Sequence, residues 1–211
     1  MTAATAAALA DAATAVDVAF DVAAVSVPAE HAWPLLQAVE GRLAWFAAEA
    51  GAGIHPLRTS PTSYGVALVA QRAKLVLRVP AERLADCLAL AGAVLDVGGS
   101  RLAVGAGRPR ALRPSGTLSA QRVASAAADV AGFETEVARW LAGLRIAGRY
   151  IAGRPRHGRA DGREIAGFAL SLHGLGGADS LRIQSEGMGA DRRVGWGLFV
   201  PAKAITAAAD E

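Results

Sequence analysis

Gly187, Gly189, Gly195 and Gly197 stand in the spacing G-x-G-x5-G-x-G, with Met188 and Trp196 inside the two arms and Arg192-Arg193 between them. Glycine at alternate positions permits positive φ and removes the side chains that would hold a ligand away from the backbone. Successive N–H groups can then turn inward as an anion-binding concavity. Two adjacent arginines add forked donors matched to phosphate oxygens. The chemistry this stretch suits is polyanion binding. The plainer reading of the same spacing is a Gly-rich hairpin at the protein's edge.

Better-known phosphate loops do not fit. A dinucleotide fingerprint needs glycine where Arg192 stands, and a Walker loop would end in Gly-Lys-Ser/Thr, which is absent. Acid–base chemistry has four candidates in His31, His55, His157 and His173. Histidine titrates near neutrality, so it serves as either general acid or general base. Each of the four also has a structural reading as a packed or surface side chain. Tyr64 and Lys74 are possible electrostatic helpers, or simply a strand-edge tyrosine and a surface lysine. No grouping of His, Cys, Asp and Glu has ligand spacing, and the lone Cys87 cannot build a structural zinc site. Neither a metal nor a cofactor is expected.

The elements that must position these groups follow from periodicity. Val16 to Val27 alternates as a strand, and Leu35, Leu36, Val39, Leu43 and Phe46 recur at helical spacing behind Pro34. That predicts a helix from about His31 to just before Gly51. Strands are expected at 65–70, 74–79 and 101–106, with a helix from Pro80 to about Ala91. The order is β-α-β-β-α-β, a ferredoxin-like unit. Gly105 to Arg110, with Pro114-Ser115-Gly116 beyond, reads as a linker. A second unit follows, with strands at 118–127, 165–172 and 196–200, and helices at 133–144 and 178–185. Residues 147–164 read as an exposed Arg-rich loop in which one strand is short or hidden. The fold class expected is α+β: tandem ferredoxin-like (RRM-like) domains over 16–113 and 117–211, with the Gly-rich loop at 187–197. Residues 1–15 are expected to be a disordered or loosely helical lead-in.

Composition sets the bounds. A chain of 211 residues can bury a core in one domain or in two small ones. A single cysteine excludes an internal disulfide framework and fits a reducing compartment. No apolar run reaches the roughly 18 residues of a membrane span, and no Lys or Arg precedes Arg42 to make a signal peptide's basic start. A cytoplasmic protein without membrane contact is expected. Net charge is +3, yet residues 1–41 carry five acids and no Lys or Arg, leaving 22 basic against 14 acidic residues, +8, on the rest. Arginines cluster at 101–113 and 145–163, as a phosphate backbone requires. Twenty Arg against two Lys also reflects a bias that writes arginine wherever a solvated charge is wanted.

The loop together with Leu198-Phe199-Val200-Pro201-Ala202-Lys203 resembles the C-terminal glycine-rich loop of the CRISPR-associated RAMP proteins. More narrowly, it is similar to the Cas-six repeat-processing endoribonucleases in their type I myxobacterial-like form. That form usually carries Cys between the last two glycines, where Trp196 stands here. The resemblance extends in order through Val27-Pro28-Ala29-Glu30-His31-Ala32-Trp33, Gly53-Ile54-His55-Pro56-Leu57-Arg58, Leu77 to Leu84, Leu112-Arg113-Pro114 and Ile165 to Ala169.

The resemblance implies a metal-independent endoribonuclease that cleaves CRISPR precursor repeat RNA by 2′-OH attack. The products are a 2′,3′-cyclic phosphate (or its opened form) and a 5′-hydroxyl. Catalysis needs a base for the 2′-OH, an acid for the leaving 5′-oxygen and positive surroundings for the transition state. The family's catalytic histidine commonly lies at the start of the first helix, which points to His31, with His55 second. RNA binding falls to Lys74, Gly187, Gly189, Arg192, Arg193, Gly195, Gly197 and Lys203. The implied partners are the repeat RNA, as precursor and as mature guide, and other effector-complex subunits. The alternatives are a non-catalytic RNA-binding RAMP subunit and, from another class, an enzyme that uses the loop for a small phosphate ligand.

Overall fold

The computed structural model describes residues 14–62 and 64–203. Most of the expected lead-in therefore lies outside the described residues, and Ala15 already belongs to the first strand. In chain order the strands are β1 (Ala15–Ala23), β2 (Ser26–Pro28), β3 (Gly53–Ile54), β4 (Thr59–Pro61), β5 (Val66–Val69), β6 (Lys74–Pro80), β7 (Val94–Val97), β8 (Ser100–Ala111), β9 (Thr117–Ala124), β10 (Arg149–Ala160), β11 (Arg163–His173) and β12 (Val200–Pro201). The helices are α1 (Ala32–Glu40), α2 (Leu84–Leu88), α3 (Val130–Leu144) and α4 (Gly177–Glu186).

Two compact units result. One runs through Leu112 and includes His157–Ile165 and Asp191–Gly195; the other holds Arg113–Arg156, Ala166–Ala190 and the chain from Trp196 on. The first unit's sheet has the order β3-β6-β1-β8-β7 and the second's β10-β11-β9-β12. Leaving out the edge strand β7, both follow the ferredoxin-like order, in which the first and third strands of a β-α-β-β-α-β run lie side by side at the centre. A small third sheet, β2-β5-β4, belongs to the first unit.

Each core follows from alternation. On β1, Val16, Val18 and Phe20 are buried, and α1 buries Leu35, Leu36 and Val39. In the second unit Phe133 on α3 stacks on Phe168 of β11, ring centroids 4.8 Å apart, within a core that includes Leu118, Val137 and Leu172. Asp129 caps α3 by accepting from the Gly132 N–H at 2.8 Å, so the helix begins three residues before the expected start.

Five expectations need correction. The strand read from Val16 to Val27 breaks after Ala23 and restarts as β2 in another sheet. The first helix stops at Glu40, not near Gly51, because Gly41 is a poor helix former. Leu43 and Phe46 are still buried, from a 3-10 turn at Ala44–Ala47. The linker read at Gly105–Arg110 is the second half of β8, paired with β1 through Phe20↔Gly107, Ala19↔Arg108 and Asp17↔Arg110. β7 pairs only with Ser100–Ala103, so Pro109 sits where β8 has an open side and no second ladder to break.

Likewise the Arg-rich stretch 147–164 is mostly strand. Its twelve-residue β10 is the edge of its sheet, where Pro155 and many exposed arginines are tolerated and deter edge-to-edge pairing. The last strand is shorter than expected: Gly197 has φ 65°, and pairing with β9 begins only at Val200.

Candidate functional site

The Gly-rich loop leaves α4 at Gly187, whose φ of 73° ends the helix while its N–H still bonds the Ile183 carbonyl at 2.8 Å. Gly189, Gly195 and Gly197 also have positive φ, at 75°, 90° and 65°, and Asp191 adopts 63°. The conformational reason for glycine is therefore present at all four positions. The second reason, close approach, is met by the chain itself. A Cβ on Gly189 would stand 2.6 Å from the Ala124 carbonyl oxygen, and one on Gly197 would stand 2.1 Å from that of Met188. Backbone of β9 and of the opposite arm fills the space that was expected to admit a ligand. The N–H groups of Val194, Gly195 and Gly197 bond to the carbonyls of Asp191, Arg192 and Arg122. Met188 and Trp196 are buried at the arms, and the Arg122 guanidinium lies 5.4 Å from the Trp196 ring centroid.

At the tip, the charges are engaged within the first unit. Arg193 donates through Nη1 to Glu40 Oε1 at 2.8 Å and to the Ala47 carbonyl at 2.7 Å. Asp191 accepts a forked pair from Arg163. Arg192 is drawn into a charged group on the sheet. Burial, then the Arg78 charge, bring its pKa down to about 10 against the pull of Asp17, so it remains a cation at neutral pH.

That charged group lies on the face of the sheet opposite Val16, Val18 and Phe20, with which Asp17 alternates on β1. Arg78, on the strand between β3 and β1, stands opposite Asp17 on one side and Gly53 on the other. His55 lies two residues beyond Gly53, so strand alternation turns it to the same face, and its N–H is fixed to the Val76 carbonyl at 2.9 Å. Arg78 is 1% exposed and grips Asp17 with two donors, Nε to Oδ1 at 2.7 Å and Nη2 to Oδ2 at 2.9 Å. His55 Nε2 sits 3.4 Å from the same Oδ1, within reach of its charge but short of a well-aligned hydrogen bond. Burial alone would raise the Asp17 pKa; the His55 ring and the Arg78 guanidinium outweigh it and hold the carboxyl well below the usual carboxylate range. Its contribution to stability is thus present above the ordinary carboxylate pKa and is lost only in strong acid.

His31 occupies a different position. It is the residue before α1, half-buried, with Nδ1 3.0 Å from the Pro28 carbonyl oxygen. A carbonyl only accepts, so Nδ1 must carry the proton, and in the neutral ring the lone pair is left on Nε2. Glu40, which holds Arg193, closes the other end of the nine-residue helix, about 13 Å from His31 at 1.5 Å per residue.

The other predicted residues are scattered. Lys74 pairs with Asp21, Lys203 and His157 are exposed, and Tyr64 is 89% exposed. His173 in the second unit has Nδ1 3.4 Å from Thr117 Oγ1. Sequence reasoning missed Asp17 and Arg78. Each interrupts an apolar strand with a charge, which is a signal, but their pairing depends on a register that only the folded sheet supplies.

The family model described as Cas6 Crispr matches residues 16–204. The chain belongs to the Cas6 family. It is 37% identical over 187 residues to a Myxococcus xanthus (strain DK1622) protein described as CRISPR-associated endonuclease Cas6, a match covering 88% of this chain and 81% of that one. Two solved structures show the same fold at low identity. A CRISPR-associated protein Cas6 has TM-score 0.65 and 11% identity, with 90% of this chain and all of the other covered. A RAMP protein described as binding different RNA substrates has TM-score 0.62 and 10% identity, covering 89% of this chain and 100% of its own. Among the described residues of this Cas6 protein, no helix is long and apolar enough to cross a membrane.

Proposed function

We propose that this Cas6 protein is a metal-independent endoribonuclease that cuts CRISPR precursor repeat RNA in the cytoplasm to give mature guide RNA. The observation that carries the reading is the 37% identity, over most of both chains, with a relative described as an endonuclease. The geometry around His31 supplies a chemistry. With Nδ1–H held by the Pro28 carbonyl, the Nε2 lone pair can take the ribose 2′-OH proton. The 2′-oxygen then attacks phosphorus, the P–O5′ bond breaks, and the 5′-oxygen takes up a proton. The products are a 2′,3′-cyclic phosphate and a 5′-hydroxyl.

RNA contact in this reading uses Lys74, Lys203 and the exposed arginines of β8. Arg108 and Arg110 lie opposite Ala19 and Asp17, on the sheet face that carries Asp17, Arg78 and His55. Each phosphate neutralised contributes about 0.7–0.9 to the salt slope of binding. The Arg108→Ala/Arg110→Ala protein should therefore bind repeat RNA more weakly, with a slope flatter by about one to two units. A filter-binding titration with an unchanged slope would move the RNA off this face.

The deciding experiment is incubation of repeat RNA with the protein in EDTA. Cleavage to the expected termini supports the endoribonuclease. Tight binding without cleavage selects instead a non-catalytic RNA-binding subunit of a CRISPR effector complex.

A further inference from the structure

We propose that the outer face of the small β2-β5-β4 sheet, with Tyr64 at its turn, is the platform on which an unpaired base of the repeat RNA stacks near the cut. The inference rests on the ribonuclease reading above and adds to it a subsite for a nucleotide close to the scissile bond.

Eight large apolar side chains are exposed among the described residues, and four of them, Val25, Tyr64, Val66 and Leu68, lie on or beside this one sheet. Strand alternation explains two. Ala67 is buried and pairs with Val27, also buried, so Val66 and Leu68 face the other way. The pairs on that face are Pro28↔Val66, Ser26↔Leu68 and Ser60↔Leu68, with no charge among them. Tyr64 stands in the turn between β4 and β5, 89% exposed. The turn is braced: the Thr62 N–H and hydroxyl both donate to the Val66 carbonyl, at 3.1 and 2.7 Å, and Gly65 takes the left-handed backbone at φ 71°. A platform set before its ligand arrives loses little entropy on binding.

Backbone bonds tie this turn to His31. The Ala29 N–H donates to the Gly65 carbonyl at 2.9 Å, and the Pro28 carbonyl holds Nδ1 of His31 at 3.0 Å. Tyr64 is one residue from the first of these bonds and His31 two. At 3.8 Å per residue and about 5.5 Å across paired chains, their Cα atoms stand no more than about 17 Å apart. A few nucleotides of single strand cover that span.

Size and charge select the occupant. Strands of three or four residues at about 3.3 Å each, spaced about 4.8 Å apart, make a face roughly 10 Å on a side. A stable protein interface buries about 800 Å² per partner, far more than this face offers. One or two bases fill it. Single-stranded RNA is commonly held by stacking on aromatic rings, because every base has a π-face. The far end of the sheet carries the charge that a phosphate backbone needs. The Ala70 N–H donates to the Arg58 carbonyl at 3.0 Å, which places exposed Arg58 beyond Ser60 and Leu68, and exposed Arg72 follows two residues after Ala70. No Asp or Glu occurs between residues 50 and 81. A strand with one base on Tyr64 and its phosphates running towards Arg58 meets apolar surface first and positive charge next.

Removing the ring and the base in turn tests the platform. The probe is repeat RNA made uncuttable by a 2′-deoxyribose at the cleavage site, with single abasic positions placed one at a time within about three nucleotides of it. Tyr64→Ala should weaken binding of the intact probe by roughly 5- to 150-fold. One abasic position should weaken wild-type binding by a similar factor, and the two changes together should cost no more than either alone. Tyr64→Trp should hold the affinity. Independent, multiplying losses at every position, or no loss from Tyr64→Ala, overturn the proposal. So does a Tyr64→Ala/Leu68→Ser protein whose oligomeric state changes while its RNA affinity does not, since the face then joins copies of this chain. Should Tyr64→Ala fail to fold, ultraviolet cross-linking of wild type to repeat RNA carrying bromouridine near the cut decides. A linked peptide containing Tyr64 supports the platform, and links confined to other segments overturn it. Wild type that leaves ordinary repeat RNA intact would sink the ribonuclease reading, and coupling between Tyr64 and a base would still establish the platform. Wild type that cuts without such coupling sinks this inference alone.

Discussion

Replacing His31 with alanine should leave the protein folded and able to bind repeat RNA, yet slow cleavage by roughly 10²–10⁴-fold, the usual loss on removing a general acid or base. That corresponds to about 3–5 kcal/mol of transition-state stabilisation. The fold should tolerate the change because His31 lies before α1 rather than within it, and its side chain makes no cap hydrogen bond to the helix. The hydrogen bond to Pro28 is worth only about 0.5–1.5 kcal/mol net. RNA affinity should hold because one imidazole adds little to an interface dominated by arginine–phosphate contacts. Repeat RNA lacking the 2′-OH at the cleavage site should be bound by wild type and left uncut, since the attacking oxygen is gone. Single-turnover cleavage, filter binding and a melting curve on the same preparation check all three statements. A His31→Ala protein that cuts within a few-fold of wild type would remove the base from the head of α1.

How much of this could be read beforehand depends on whether local pattern or tertiary register decides the feature. The ferredoxin-like order of the first unit was legible because Val16, Val18 and Phe20 on β1, and Leu35, Leu36 and Val39 on α1, follow their own periods. The loop glycines were legible for the same reason, since positive φ is a demand made on each residue alone.

What escaped was set by neighbours in space. Gly105 to Arg110 has the composition of a linker and is a strand, because β1 supplies its ladder. The Arg-rich β10 lacks apolar alternation and is a strand because it borders β11. The Arg192-Arg193 pair was read as forked donors for phosphate. In the fold Arg193 binds Glu40 and Ala47, while Arg192 is half-buried near Asp17 and Arg78. The Asp17–Arg78–His55 group joins residues from two strands and from the chain just past a third, and no spacing along the sequence announces it. Two charges placed in otherwise apolar strands were the visible trace.

Gly197→Ala should destabilise the second unit severely, by more than about 4 kcal/mol, the range reserved for steric or burial defects of the core kind. Two effects add. At φ 65° any side chain other than glycine's pays a strain of about 1–2 kcal/mol. The larger effect is steric: the new methyl would stand 2.1 Å from the Met188 carbonyl oxygen and 3.1 Å from its carbonyl carbon. Those atoms are backbone and cannot rotate aside, as a flexible side chain would. Moving them shifts Met188, which belongs to the core with Phe133 and Phe199, and breaks the Gly197 N–H bond to the Arg122 carbonyl. Gly174→Ala is the matched control. It lies in the same unit at φ 72° with nothing within 4 Å of the added methyl, so it carries the strain without the clash. Its loss should be confined to about 1–2 kcal/mol. Urea unfolding of the two variants beside wild type measures the difference. Equal losses would mean that the arms of the loop can part at little cost, and that glycine is needed at 197 for its backbone angle alone.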